Sequence, residues 1–237
     1  MNAEISQDYL TEIPSNLERY IILDVETTGL SLFDHIISLG AYAVENCKIS
    51  NKIFNFCIQP RVKIKPNAKK INHFNEKYFK TLPRIDEKKK LTELFAWIGD
   101  SLIFCHNAPF DRQFLNRELS FHSIPMIPDT QFRCTQRLFL KIVRKTNPAF
   151  IESSTTLQKC CEYFGLFYHK SSFHISIIDA RITGDLLKIL LIKINKNNLK
   201  NDNGKKSNKI MKNNDQNNIK YKGDVKTGLF KDLEIDL

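Results

Sequence analysis

The chain has 237 residues, of which 42% are hydrophobic and 26% charged, and its formal net charge is +10. That length exceeds what one sizeable folded unit needs, and the apolar share suits a packed core rather than a fully disordered chain. Residues 193–222 hold nine Lys against two Asp, so the remainder is only mildly basic, and net charge alone names no partner.

Residues 1–18 are polar and lack periodicity, which predicts a loose arm. "RYIILDVE" from Arg19 is a strand. The stretch 35–60 reads as two strands around a turn near Glu45–Lys48, the second with alternating apolar positions. Residues 61–79, "RVKIKPNAKKINHFNEKYF", read as a loop with short helical pieces. "EKKKLTELFAWIGD" is an amphipathic helix, with Leu91, Leu94, Phe95 and Ile98 at i, i+3, i+4 and i+7. "SLIFC" is a short buried strand. "APFDRQFLNRELSF" is a helix, with Pro109 in the first turn, where a missing N–H costs nothing. Helices are expected over roughly 132–144 and 155–164, the second stopped by Gly165, and a last one from about 176 to 193. This order is α/β with a mixed sheet. No GxGxxG or GxxxxGK[ST] is present, so a nucleotide-binding loop is not expected.

The 30 residues 193–222 contain ten Asn and nine Lys. Such a segment cannot bury enough apolar surface to offset chain entropy. The expected organisation is an arm (1–18), a folded domain (19–194), a disordered linker (195–225) and a short tail (226–237) that regains apolar residues. The longest apolar run, "LLKILLIKI" at 186–194, is interrupted by lysines and too short to cross a bilayer. The six cysteines, Cys47, Cys57, Cys105, Cys134, Cys160 and Cys161, make no CxxC pair. They read as reduced, mostly buried thiols, with Cys160 and Cys161 in a helix core, rather than as zinc ligands. The chain opens without a charged-then-apolar leader, so a cytoplasmic location is expected.

Chemistry gathers at element ends. Asp24 and Glu26 alternate with Val25 on one strand and so share a face. Asp111 lies in the first turn of a helix that follows a buried strand. His174 and Asp179 stand five apart at the entry to the last helix. Taken singly, Asp24-x-Glu26 is compatible with a solvated strand edge, Asp111 with a helix-start charge, and His174 with a loop histidine. Four acids and one histidine, each anchored by apolar runs, fit a divalent-metal site better. Oxygen ligands without cysteine favour Mg²⁺ or Mn²⁺. Two such ions about 4 Å apart can clamp the attacking and leaving oxygens of a phosphoryl displacement. A histidine can take the proton of the attacking water. His106 and Asn107 read as shaping a strand-to-helix turn.

"LDVETTGL" (23–30), "HNAPFDRQFL" (106–115) and "HISIIDA" (174–180, H-x4-D) resemble the three motifs of the DEDDh (DnaQ-like) 3′→5′ exonucleases. "STTLQKCCEYFGL" (154–166) resembles the segment before the third. The likeness runs from about Arg19 to Leu191, and within the family it is greatest to the proofreading epsilon subunits of bacterial DNA polymerase III. It implies a ribonuclease H-like α/β fold with a central mixed sheet flanked by helices. It implies that Asp24 bridges two metal ions, that Glu26 and Asp179 complete the tighter site, and that Asp111 holds the second. His174 would be the general base, with Thr27, Thr28 and Leu30 around the 3′-terminal nucleotide. His73 and Phe110 are further candidate substrate contacts. The implied partners are DNA 3′ ends and a polymerase catalytic subunit. RNA trimming, or an inactive scaffold subunit, are the alternatives. Three departures stand out. Ser38 occupies a position where the family often has an acid, "INHFN" stands where the family often has "HGI", and "HISII" is bulkier than usual. The terminal "KTGLFKDL" resembles sliding-clamp peptides in its Leu-Phe pair, but Lys226 replaces their usual Gln.

Overall fold

The apolar run before Asp24 becomes the central strand of a five-stranded sheet. β1 (Arg19–Thr27) pairs antiparallel with β2 (Ile36–Glu45) and parallel with β4 (Leu102–Cys105). β3 (Lys48–Cys57) flanks β2 in antiparallel pairing, and β5 (Phe132–Cys134) flanks β4 in parallel, giving the order β3-β2-β1-β4-β5. The structure is a computed structural model that describes residues 7–72, 79, 81, 82, 84–150 and 155–204. The β2–β3 connection turns where expected. Asn46 and Cys47 take positive φ (49° and 63°), the geometry that matches the twist of a two-residue hairpin.

The alternation in β1 divides the core. Ile21, Leu23 and Val25 face α2 (Glu87–Ile98) and α3 (Ala108–Phe121), where Leu91, Leu94, Phe114 and Leu115 are buried. Ile22 faces the other side, with Phe139 of α4 (Thr135–Thr146), Cys160 and Cys161 of α5 (Leu157–Tyr163), and Leu186, Leu187 and Leu190 of α6 (Ser176–Gly204). Each fully buried leucine contributes about 1.5–3 kcal/mol, so both helical layers are firmly attached to the sheet. α1 (Pro66–Ile71) has no buried residue and lies beside the β1–β2 loop, where Lys65 N donates to Thr28 O at 2.9 Å. α2 is capped by Asp86, which accepts from Lys89 N at 2.9 Å, and stops at Gly99 with φ 53°.

Three expectations are corrected. The described part of the arm is not loose: residues 7–11 form a 3₁₀ turn, Leu10 is buried, and Arg133 donates to the Glu12 carbonyl. One buried leucine and a few tertiary hydrogen bonds suffice to hold a segment with no periodicity of its own. The helix expected from 132 begins at Thr135, because Phe132–Cys134 pairs with β4 as a fifth strand; a segment of three residues is too short for a period to tell the two apart. The last helix continues beyond 193 to Gly204, into the segment expected to be disordered. Once its first turns are docked, adding residues costs little, and lysine is a fair helix former. Residues 205–237, with the tail at 226–237, lie outside the described residues. Among the described residues, no helix is long and apolar enough to cross a membrane.

Gly40 sets how closely α6 approaches the sheet. A Cβ there would overlap the backbone of Ser176 and Ile177. Gly40→Ala is therefore expected to destabilise the fold by about 1–3 kcal/mol, the usual cost of overpacking. Thermal unfolding should show a midpoint several degrees lower; an unchanged midpoint would mean that the helix can slide without cost.

Candidate active site

β1 presents Asp24 and Glu26 on one face, opposite Gly40 and Ser38 of β2. The missing side chain at Gly40 lets the first turn of α6 lie across the sheet, which brings Asp179 to the two acids. Ser38 Oγ donates to Ser176 Oγ at 2.9 Å, so the residue that departs from the family pattern anchors the same helix start. From the other side, Asn107 in a left-handed conformation (φ 78°) bends the chain from β4 into α3. Asp111 then accepts from Val25 N at 3.2 Å, tying the helix start to the strand. His174 also has positive φ (67°), and its backbone N–H donates to Asp179 Oδ2 at 2.9 Å. That bond compensates a backbone state that costs a non-glycine residue roughly 1–3 kcal/mol.

These side chains open into one cleft of about 850 Å³, lined by Asp24, Glu26, Thr27, Leu30, Phe110, Asp111, His174 and Asp179 among others. Ligand atoms of Glu26, His174 and Asp179 lie within 4.8 Å of one another. Burial pushes the Asp24 carboxyl well above the usual range, and Asp111, Asp179 and Glu26 push it further. Burial, then Asp179, raises Glu26 to about 8. Burial raises Asp179 to about 7, against the lowering effect of the His174 N–H. Asp111 is held well above its usual value by burial and by Glu26 and Asp179, although its own N–H and that of Val25 oppose the shift. Lys65 also lines the cleft, but its ammonium is bound to Asp34 at 2.5 Å. Asp179 Oδ1 is buried without a hydrogen-bond partner. Clustered carboxylates with an orphaned oxygen fit a hard divalent cation.

The structure brings the five residues of the three motifs together. Thr27 lines the cleft, with its hydroxyl donating to Gly29 O at 2.7 Å. Leu30 stands at the mouth, 83% exposed. Phe110 lines the wall with its ring 4.7 Å from that of Phe114. Thr28 sits between Thr27 and Gly29 of the cleft lining but is itself fully buried: its hydroxyl donates to Asp34 Oδ1 and accepts from His35 N, both at 3.0 Å. His73 lies outside the described residues. Its neighbour Asn72 lines the cleft, donating from Nδ2 to Thr27 O at 3.1 Å and leaving a buried Oδ1 without a partner among the described residues. Sequence reading missed it, since the only signal is a polar residue at the end of a short helix. His106 shapes the turn as expected: its ring nitrogens meet Thr135 Oγ1 at 3.0 Å and Thr155 O at 2.9 Å, and burial lowers its pKa to about 4.

The family model RNase_T, described as Exonuclease, matches residues 21–187. A DNA polymerase III subunit epsilon of Buchnera aphidicola subsp. Schizaphis graminum is 30% identical over 182 residues, covering 74% of this chain and 76% of that protein. A PolC-type DNA polymerase III of Ureaplasma parvum serovar 3 is 30% identical over 187 residues, 78% of this chain but 12% of that longer one. The nuclease domain of 3′hExo, a DEDDh family member solved with rAMP, superposes with a TM-score of 0.58 at 13% identity, over 76% of this chain and 94% of that one. Exonuclease X, solved with 5′ overhanging duplex DNA, gives 0.52 at 22% identity over 73% and 90%. At such identities the structural likeness concerns the fold, which is ribonuclease H-like.

The raised carboxyl pKa values predict a pH dependence. Each cleft acid binds its proton at higher pH when folded than when unfolded, so its contribution to stability is full below the ordinary carboxylate range. That contribution is lost as pH rises from about 4 through about 7 to 8 for Asp179 and Glu26. In chelator, the melting midpoint should fall between pH 5 and pH 8, and saturating Mg²⁺ or Mn²⁺ should flatten the slope. A metal-free midpoint that rises over that interval would contradict the electrostatics described here.

Proposed function

The chain belongs to the RNase_T exonuclease family, of the DEDDh (DnaQ-like) type, and from that premise we propose that it removes nucleotides one at a time from DNA 3′ ends as a proofreading subunit of polymerase III epsilon type. The observation that carries this reading is the convergence of Asp24, Glu26, Asp111 and Asp179, with His174, in one cleft. Asp24, Glu26 and Asp179 would hold one divalent cation, and Asp24 with Asp111 a second, Mg²⁺ or Mn²⁺. When bound, such a pair stabilises the charge on the attacking and leaving oxygens of an in-line phosphoryl displacement.

The chain's own groups do the rest. His174 is exposed at the cleft edge, where its ring can take a proton from the attacking water and release it to solvent. The water oxygen bonds to phosphorus and the P–O3′ bond breaks. The shortened strand keeps a 3′-hydroxyl and the product leaves as a nucleoside 5′-monophosphate. Thr27, Leu30 and Phe110 frame the terminal nucleotide, and the unpartnered Asn72 Oδ1 would accept a hydrogen bond from it once the nucleotide displaces what covers that atom. A site that takes a single unpaired nucleotide favours mispaired ends, which cost less to open. The names of the sequence relatives support DNA as substrate and a polymerase catalytic subunit as partner. Such a role would place the protein in the cytoplasm and gives residues 226–237 a candidate task on a polymerase or sliding clamp.

The test uses 5′-labelled DNA and RNA with paired or mispaired 3′ ends and either metal. Shortening from the 3′ end, fastest on mispaired DNA, is expected; a preference for RNA would redirect the reading to RNA trimming, and no turnover at all would leave a scaffold. The paired substitution Asp24→Ala, Glu26→Ala should abolish turnover, and His174→Ala should lower kcat by about 10²–10⁴-fold, the usual worth of a general base. Asn72→Ala should raise KM more than it lowers kcat, because it removes a contact to the bound nucleotide rather than to the reacting phosphate.

A further inference from the structure

The β1–β2 loop, residues 28–35, is braced from several directions. Asp34, only 2% exposed, accepts from Thr28 Oγ1 (3.0 Å), Ser31 N (2.7 Å), Ser31 Oγ (2.6 Å) and Lys65 Nζ (2.5 Å). From α3, Arg117 donates to the carbonyls of Ser31 at 3.2 Å, Leu32 at 2.5 Å and Asp34 at 3.0 Å. Yet the tip held this firmly presents its large apolar side chains to solvent: Leu30 is 83% exposed, Leu32 71% and Phe33 82%. Isolated exposed apolar residues need no explanation. Three within four positions, on a fixed loop at the mouth of a cleft, form a surface that something covers.

The surroundings say what. Leu30 and Ser31 line the cleft itself, and Leu32 and Phe33 follow them directly in the loop. Beside it, the segment carrying α1 has exposed lysines at 63, 69 and 70. An apolar and aromatic surface next to a row of cations matches a single nucleic-acid strand, whose phosphates follow the positive charge while its bases find flat apolar partners. We propose that Leu32 and Phe33 form a stacking platform for the bases next to the terminal nucleotide, against which paired ends are opened. This rests on the nucleolytic reading above and extends it from the terminal nucleotide to its neighbours. A rigid platform loses little conformational freedom on binding. It returns to an unpaired base part of the stacking lost on leaving the duplex.

Two variants test it. Phe33→Trp places an emitter on the platform, and the wild type, whose single tryptophan is Trp97, serves as the blank. Titration with a single-stranded oligonucleotide carrying a phosphorothioate 3′ end, in Mg²⁺, should quench the variant and leave the wild type unchanged. The double substitution Leu32→Ala, Phe33→Ala should keep turnover of an aryl ester of thymidine 5′-monophosphate, which fills only the terminal position. On strands it should lose roughly tenfold or more, the size of one base–aromatic stack, and most on paired ends. The platform is overturned if Phe33→Trp emission stays constant while anisotropy of the labelled oligonucleotide shows it bound. It is equally overturned if the double variant matches the wild type on strands, as it would if the tip docks a protein, or loses ester and strand turnover alike. A wild type that neither binds nor shortens any strand removes the nucleolytic reading and the platform together. An active wild type with an unaltered double variant removes only the platform.

Discussion

Four carboxylates share one cleft, and most of what is unusual in this chain follows from their mutual repulsion. Elsewhere buried acids are paired. Glu118 takes both guanidinium nitrogens of Arg61 at 2.9 Å, and Asp34 takes Lys65 at 2.5 Å. Among the described residues, Asp24, Glu26, Asp111 and Asp179 form no ion pair with lysine or arginine. Lys65, which also lines the cleft, is bound to Asp34. Asp111 and Asp179 each sit in the first turn of a helix, where the macrodipole favours a negative charge by about 0.3–1 kcal/mol. That is too little to offset the burial and mutual repulsion that raise Glu26 and Asp179. Helix ends do not supply the missing positive charge, and that is what the proposed divalent cations would provide.

Holding such a site together requires backbone features that a stable fold would otherwise avoid. The close approach of α6 needs Gly40 bare. Asn107 and His174 both take positive φ, and both lie within a few residues of a cleft acid. The strain is carried by rigid neighbours: β1 runs through the centre of the sheet, and the two helix starts are tied to it through Val25 N and across Ser38 and Ser176. The acids are therefore placed by strand register and helix docking rather than by long loops, which suits a reaction that depends on fixed distances between charges.

The strand alternation at Asp24, Val25 and Glu26 was legible because it needs only the period of an extended chain, and the buried flanks told which face was inward. Asp111 and Asp179 were legible because each begins an apolar helix. Harder to read was whatever depends on contacts between distant segments. Three residues of β5 have no period, and the arm is fixed by Leu10 and by Arg133, more than a hundred residues apart in sequence. The inward turn of the Thr28 hydroxyl was not legible either, since it depends on a bond to Asp34 six residues on. Asn72 was not legible because a short helix with no buried residue sets no register. The continuation of α6 to Gly204 was hidden by composition, since a lysine- and asparagine-rich segment reads as solvated chain unless it prolongs a docked helix.

The arrangement of charge also bears on how a polyanion could reach such a cleft. Four ionised carboxylates would repel a phosphodiester approaching the empty site. Two divalent ions would cancel those four charges, leaving a roughly neutral floor beneath a lip with lysines at 63, 65, 69 and 70. Attraction would then come from the lip and chemistry from the floor, with the acids screened from the incoming strand by the ions they hold. The apolar loop adds no charge to either, and so it can contact bases without disturbing that balance. On this view the salt bridge between Lys65 and Asp34 has two effects: it fixes the loop, and it keeps an ammonium at the rim that would otherwise be drawn inward to the acids and compete with the cations for them.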